Sequence, residues 1–310
     1  MENTETLIKE LAARREERLS SRRSAMMLGG AALAGLVLSR VANAQSTTIG
    51  DPDILNFALN LEYLEAQFYT LATAGVTIDK YSTPVSVTGG GGTAGSVTLK
   101  PNFAPVQFST TVLQDYANET AMEERNHVSF LSSALGASAV AMPNIDLYNS
   151  FNALAMAAGL GSSFDPFANE TNFLLGAFIF EDVGVTAYNG AAPLLSSKTY
   201  LQAAAGILAV EAYHAGSIRT RIYAAGAAAQ SASQKIAAAR ASLSAAAVTP
   251  APSMPDDIGV GTEASGAATI VDADSNAITF SRSTAQVLSI VYGGSKPGVF
   301  FPGGLNGTIK

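Results

Sequence analysis

The sequence predicts an all-α protein built on a four-helix bundle, and three observations carry that prediction. Four long segments have helical periodicity, two of them contain a Glu-x-x-His motif, and strand-like alternation is confined to one Gly/Thr-rich stretch. The order is helix, insertion, helix, crossover, helix, helix, which makes two helical hairpins joined by a long crossover. With 310 residues, of which 48% are hydrophobic and 14% charged, the chain can bury a large core.

Composition excludes several functional classes. The formal net charge of −7 offers no basic face for nucleic acid, so no nucleic-acid partner is expected. The chain has no cysteine, which excludes disulfides, zinc–thiolate sites, iron–sulfur clusters and a rubredoxin-type electron-transfer module within it. Any bound metal must therefore be held by oxygen and nitrogen ligands.

Residues 1–44 have the pattern of a cleavable export signal. Arg22-Arg23 precedes an apolar run of about 14 residues, which is short of the roughly 20 that a spanning helix needs. Ala42-Asn43-Ala44 then supplies a cleavage signature. The paired arginines favour twin-arginine export over an ordinary secretory signal or an uncleaved anchor. We expect an exported protein, periplasmic or extracellular, with no stable membrane span after signal cleavage.

Residues 45–230 form the predicted bundle, and its long helices carry start and stop signals. Asp51 can cap the first helix, with Pro52 in its first turn, while Gly136 and Gly226 end the second and fourth helices. The predicted helices are Pro52–Ala74, Thr110–Leu135, Pro166–Tyr188 and Lys198–Ala225.

The remaining segments connect or cover the bundle. Val76–Ser109 is a small Gly/Thr-rich insertion between the first two helices, predicted to be a hairpin or a flexible excursion around Gly89–Gly92. A shorter helix near Ile145–Ala158 supplies the crossover. Residues 231–310 are expected to pack on the bundle as an outer Ala-rich helix and an irregular C-terminal strap, anchored by Phe300-Phe301.

Both histidines of the chain stand three residues after a glutamate. The two motifs are Glu124-x-x-His127 and Glu211-x-x-His214. On an α-helix, positions i and i+3 project from one face about 60° apart. A carboxylate and an imidazole from each motif can therefore reach one metal ion together, which is the strongest indication of function in the sequence.

The other two long helices carry glutamates within apolar runs. These are Glu181 on the third helix and either Glu62 or Glu65 on the first; periodicity slightly favours Glu65 as the inward residue without excluding Glu62. A buried carboxylate costs several kcal/mol unless it is protonated, paired with a cation or bound to a metal. Arg125 and Arg219 lie on the second and fourth helices, at other angles. Four carboxylates would balance two divalent ions, with both histidines neutral.

These motifs resemble those of ferritin-like domain proteins, and more narrowly the subgroup that includes desiccation-related proteins. The resemblance rests on Leu-Asn-Leu-Glu-Tyr-Leu-Glu-Ala-x-Phe-Tyr at residues 59–69, Phe-Glu-Asp-Val-Gly-Val-Thr-Ala-Tyr at 180–188 and Val-Glu-Ala-Tyr-His at 210–214. It covers about residues 51–226. Two single glutamates and two Glu-x-x-His motifs on four helices are the ligand set of ferritin-like di-iron and di-manganese proteins.

The resemblance implies six ligands for two iron or two manganese ions. In such relatives the first-helix ligand often precedes a tyrosine by seven residues; Glu62 and Tyr69 fit, so the resemblance selects Glu62 and leaves Glu65 as a second ligand or a neighbouring acid. Glu124 and Glu211 are implied as bridges. The implied ligands are Glu62, Glu124, His127, Glu181, Glu211 and His214.

Three functions are compatible with such a site. The first is a metal-dependent oxidoreductase acting on peroxide or dioxygen, and a catalase-like cycle suits a chain without cysteine because it needs no outside reductant. The second is a non-catalytic stress or desiccation-related structural protein. The third is an iron-binding protein or ferroxidase that acts on ferrous ion. A homo-oligomer is left open.

The residues flanking the motifs are expected to be structural. Tyr69, Tyr188 and Tyr213 are predicted to be packing residues, with a minor alternative in which one of them hydrogen-bonds a metal-bound oxygen species. Glu119 and Glu123, on the second helix, are predicted to be solvated or paired at the surface.

Overall fold

The structure, a computed structural model, describes residues 49–252, 255–263, 266–295 and 298–310. Residues 1–44, for which the sequence predicts an export signal, lie outside the described residues. None of the described helices combines the length and the hydropathy that a membrane span requires.

Four long helices form the bundle, which confirms the predicted all-α architecture. Helix α1 (Asp51–Ala74) packs along α2 (Thr111–Leu135), and α4 (Glu170–Ala191) packs along α5 (Lys198–Ala224). The two pairs meet through α1 and α4. The short helix α3 (Asn149–Ala157) lies in the crossover between the pairs. The core is one continuous hydrophobic cluster drawn from all of these helices.

The start of α1 differs from the prediction that Asp51 caps it. Gly50 is the capping residue, and its backbone N–H donates to the Asp53 carboxylate over 2.9 Å. Asp51 instead accepts hydrogen bonds from the backbone N–H groups of Ser196 (2.9 Å) and Ser197 (2.8 Å). Asp51 therefore fastens the beginning of α1 to the residues just before α5, a contact between helices that local sequence does not encode.

Helix α4 begins four residues later than predicted. The amide oxygen of Asn169 accepts from the backbone N–H of Asn172 over 2.9 Å, so Asn169 is the cap and Glu170 the first helical residue. Pro166 lies before the helix, not in its first turn. The crossover helix likewise begins at Asn149, because Asp146 accepts from the N–H of Asn149 over 2.7 Å.

The Gly/Thr-rich insertion is neither a hairpin nor a free excursion. Its strand β1 (Val97–Thr98) pairs in parallel with β2 (Ile145–Asp146), which lies just before α3. The N–H of Gly95 donates to the Met142 carbonyl over 2.7 Å. A Cβ on Gly95 would lie 2.4 Å from the backbone nitrogen of Asn144. The glycine therefore serves a close backbone approach, which the hairpin prediction did not consider.

The C-terminal part of the chain packs against the bundle. Helix α6 (Ala227–Ala246) contacts α4 and α5, and α7 (Thr284–Val291) contacts α6 and α4. Phe300 is fully buried, with its ring centroid 5.3 Å from that of Phe151 and 5.0 Å from that of Phe180. The predicted anchoring of the strap by its two adjacent phenylalanines is confirmed.

Buried ion pairs join the C-terminal part to the bundle. Arg240 of α6 pairs with Asp182 of α4 (2.8 Å) and with Asp257 (2.7 Å). Arg219 of α5 also pairs with Asp182 (2.9 Å), and Arg282 pairs with Asp257 (2.8 Å). All five side chains are buried, so the ionic network connects three helices with two segments of the strap.

Candidate metal centre

The six predicted ligands lie together in the middle of the bundle. Helices α1 and α4 each supply one of them, and α2 and α5 each supply two. None exposes more than 8% of its surface, and the centroids of the two imidazole rings are 6.4 Å apart. These residues are Glu62, Glu124, His127, Glu181, Glu211 and His214.

The local sequence explains why the motif residues point inward. On α2, the buried Ala117 and Ala121 lie on the same face as Glu124, at positions i−7 and i−3. On α5, the buried Ile207 lies four residues before Glu211. Each motif continues the apolar stripe of its helix, and such a stripe faces the core.

One group of donor atoms surrounds His127. Its Nδ1 lies 3.2 Å from Glu62 Oε2, 3.4 Å from Glu124 Oε2 and 3.6 Å from Glu211 Oε1. These four residues offer donor atoms that all lie within 4.8 Å of one another. Three carboxylate oxygens and one imidazole nitrogen from three helices thus surround one position that a metal ion could occupy.

A second group surrounds His214 and shares Glu124 with the first. Nδ1 of His214 lies 3.0 Å from Glu124 Oε1 and 3.3 Å from Glu181 Oε2. The two oxygens of Glu124 therefore face different histidines. Glu124 could therefore hold one ion with each of its oxygens, the role that the resemblance implies for it.

The donor atoms of these groups are poorly satisfied by the protein itself. Both carboxylate oxygens of Glu124 and of Glu211, Oε2 of Glu181 and Nδ1 of His214 are buried without an aligned hydrogen-bond partner among the described residues. Leaving a buried polar group unpaired costs about 1–3 kcal/mol. Metal ions would satisfy these atoms together, and carboxylate oxygens with neutral imidazoles suit iron and manganese. The residues present therefore fit a dinuclear centre.

Protons balance the charge of the cluster in the metal-free protein. Burial alone would lower the pKa of both imidazoles, but neighbouring carboxylates outweigh it. Glu62 helps to raise the pKa of His127 to about 11, and Glu181 helps to raise that of His214 to about 12. Burial also raises the pKa of Glu65 well above its usual value, and nearby carboxylates reinforce that shift.

We expect metal binding to release protons. At neutral pH both imidazoles of the metal-free protein are protonated, since His127 and His214 have a raised pKa. Each must lose its Nδ1 proton to bind a metal, so these two protons alone make the apparent affinity for the pair of ions rise about a hundredfold per pH unit between about pH 6 and 8. Calorimetry in buffers of different ionisation enthalpy measures the release; no release of protons would contradict the assignment of these nitrogens as ligands.

The choice between the two acids of α1 is informed by their neighbours. Glu62 contacts His127, whereas Glu65 lies near Gly184 of α4. A Cβ placed on Gly184 would lie 2.2 Å from Glu211 Oε2 and 3.6 Å from Glu65 Oε1. The geometry favours Glu62 as the first-helix ligand, with Glu65 as a buried acid beside the centre.

Two of the tyrosines predicted to be packing residues are buried in the core, as predicted, and they also bind the carboxylates. The hydroxyl of Tyr69 donates to Glu181, and the hydroxyl of Tyr188 donates to Glu62. Each tyrosine follows the glutamate of its own helix by seven residues and bonds to the glutamate of the other helix. That repeated spacing is the sequence signal that could have identified both. Tyr213, in contrast, is 78% exposed.

Glu123 was predicted to be solvated or paired at the surface; it is partly exposed and paired, but its partner is a predicted metal ligand. Its carboxylate accepts a hydrogen bond from Nε2 of His214 over 2.6 Å, although a third of the side chain reaches solvent. This bond places a proton on Nε2 and leaves Nδ1 to face the cluster. The periodicity of α2 could not reveal it, because the partner lies on α5.

Replacing Glu123 with alanine is expected to weaken metal binding about 10- to 100-fold, because His214 loses the partner that orients its ring. Metal affinity is measured by competition with a chelator. Glu119→Ala is the matched control, since Glu119 is exposed one turn earlier on α2. Equal losses in the two variants would show that the effect is one of general surface charge.

Comparisons with known proteins place this geometry in a family. The Ferritin-like domain family matches residues 50–224, which include all six predicted ligands. The desiccation-related protein PCC13-62 of Craterostigma plantagineum is 34% identical over 177 residues, 56% of this chain and 53% of that protein, so the chain spans about half the length of this relative. The ferritin-like catalase Nec2 of Nesocodon mauritianus is 26% identical over 271 residues, 84% of each chain. No solved structure matches the chain. The chain belongs to the Ferritin-like domain family.

Proposed function

We propose that this protein is an exported oxidoreductase that uses two bound iron or manganese ions to act on hydrogen peroxide or dioxygen. The observation that carries the proposal is the pair of donor groups that share Glu124, with buried donor atoms left unpartnered. The resemblance over 84% of each chain to a protein named a ferritin-like catalase supports peroxide as the substrate.

Two bound metal ions would supply a redox pair and positive charge for one small oxygen ligand. The protein's own residues hold and orient that centre. Hydrogen bonds from Tyr69 and Tyr188 fix the carboxylates of Glu181 and Glu62, one in each donor group. Burial of the whole cluster keeps bulk water away, which strengthens the electrostatic interactions inside it.

A catalase-like reaction balances without another reactant. One peroxide molecule takes up two electrons and two protons and becomes two water molecules. The other gives up two electrons and two protons and becomes dioxygen. Buried carboxyl groups beside the centre, Glu65 among them, offer places where protons can be held between the two halves of this cycle.

The decisive experiment measures dioxygen release from hydrogen peroxide by protein with its metal content determined. We expect about two iron or manganese ions per chain and a loss of activity of about a hundredfold or more in Glu181→Ala, because a ligand is removed. Glu119→Ala should retain activity, because Glu119 is exposed on α2. No turnover with either metal would contradict the proposal.

A second candidate function is a non-catalytic role in stress, favoured by the 34% identity to a protein named desiccation-related. Stoichiometric metal without peroxide turnover would support it. Oxidation of added ferrous ion without peroxide breakdown would instead favour iron binding or ferroxidase activity.

Export is tested separately, by mass spectrometry of the N-terminus of protein recovered outside the cytoplasm. A chain that still begins before residue 45 would contradict cleavage there.

A further inference from the structure

A narrow apolar cavity lies between α1 and α4. Ile54, Ala58 and Leu61 line it on α1, where their spacing of four and three residues puts them on one face. Small residues of α4, Gly184 and Ala187, line the opposite wall and leave the gap between the helices. Ala58 and Leu61 are partly exposed, so the outer end of the cavity lies near the surface of the protein.

The inner end of the cavity is polar. Glu62 and Glu65 line it, following the apolar residues along the same face of α1, and Tyr188 lines it from α4. Glu62 belongs to the donor group around His127, so the cavity ends at the candidate metal centre. Its volume is about 30 Å³. A water-sized sphere occupies roughly 10–15 Å³, so the space admits only small molecules.

We infer that this cavity is the path by which a small neutral oxygen species, hydrogen peroxide or dioxygen, reaches the metal centre. The inference rests on the proposed function for the identity of the substrate. The inference also implies two separate entry paths, because a metal ion would reach the same centre by a different path from the substrate.

The need for two entry paths follows from the apolar lining of the cavity. Dioxygen passes an apolar wall with little loss of hydration. Hydrogen peroxide gives up hydrogen bonds to water there, but it carries no net charge, so its cost is far below that of an ion. A hydrated divalent ion would lose its water there without any charged group to replace it until it reached the glutamates, at a cost of several kcal/mol or more. A polar approach exists at the other donor group, where Glu123 is hydrogen-bonded to His214 and reaches solvent.

The first test needs no metal and no activity. Tyrosines are replaced with 3-fluorotyrosine, and relaxation of each fluorine signal by dissolved dioxygen is measured in metal-free protein. Tyr188 lines the cavity and Tyr69, equally tied to a carboxylate, does not. We expect dioxygen to relax the Tyr188 signal more strongly than the Tyr69 signal. Ala58→Phe, which fills the outer end, should abolish that difference, while Ala74→Phe at the exposed end of α1 should preserve it.

The second test uses metal-loaded protein. The wild-type protein should break down hydrogen peroxide and not the bulky tert-butyl hydroperoxide. Ala58→Phe should lower the rate with hydrogen peroxide about tenfold or more, because a packed interior does not make room for an added ring. The rate of ferrous-ion loading should be unchanged in that variant.

Equal relaxation of both tyrosine signals, or a difference that survives Ala58→Phe, would overturn the path. Slower metal loading in Ala58→Phe would overturn the separation of substrate from metal. If dioxygen relaxes Tyr188 selectively but the loaded protein leaves peroxide intact, the path stands for dioxygen and the proposed peroxide activity fails.

Discussion

Gly184→Ala is expected to weaken metal binding strongly and leave the helical fold in place. A Cβ at this position would lie 2.2 Å from Oε2 and 3.0 Å from Cδ of Glu211. The obstructing atoms are the end of a flexible side chain, so the carboxylate can turn away at small cost in stability. It would then leave the donor group around His127, and we expect metal affinity to fall about a hundredfold or more.

A control variant distinguishes a loss of metal from a loss of fold. Alanine favours a helix over glycine by about 1 kcal/mol, which offsets part of the strain in Gly184→Ala. Gly206→Ala, on α5, is the matched control, because its added Cβ meets no atom within 4 Å. We expect both variants to unfold at similar denaturant concentrations, and only the first to lose metal by elemental analysis. A Gly184→Ala protein with the metal content of wild type would contradict the placement of Glu211 at the centre.

The bundle and the inward glutamates could be predicted because their signals are local. Glu124 and His127 share a face of one helix, and Glu181 lies in a continuous apolar run, so each direction follows from the spacing within a single element. The choice between Glu62 and Glu65 shows where that reasoning stops. Both are buried, and only the position of His127 on another helix distinguishes them.

Several features that sequence reasoning missed depend on contacts between distant segments. The bond from Glu123 to His214 joins residues 91 positions apart. The parallel pairing of Val97–Thr98 with Ile145–Asp146 joins the insertion to the crossover, and no alternation pattern distinguishes that from a hairpin. The burial of Asp182 likewise depends on a distant residue, because Arg240 of α6 pairs with it over 2.8 Å.

Arg240→Met is expected to lower the free energy of unfolding by about 3–5 kcal/mol, the range for removing one partner of a buried ion pair. Arg240 is 3% exposed and pairs with both Asp182 and Asp257. Methionine retains much of the length of the side chain, so the loss of charge dominates over the loss of volume. Denaturant unfolding followed by circular dichroism measures the change.

Lys100→Met supplies the matched control, because Lys100 pairs with Asp165 through side chains that are 28% and 29% exposed. Water screens such a pair, and its loss should cost at most about 1 kcal/mol. Equal effects would mean that burial does not set the strength of these pairs. A large loss in Arg240→Met alone would show that the strap is bound to the bundle through α4, where Asp182 directly follows Glu181. Asp182 takes part in the ionic network and Glu181 in the donor group around His214. Loosening the strap should therefore also weaken metal retention, which elemental analysis of the same variant measures.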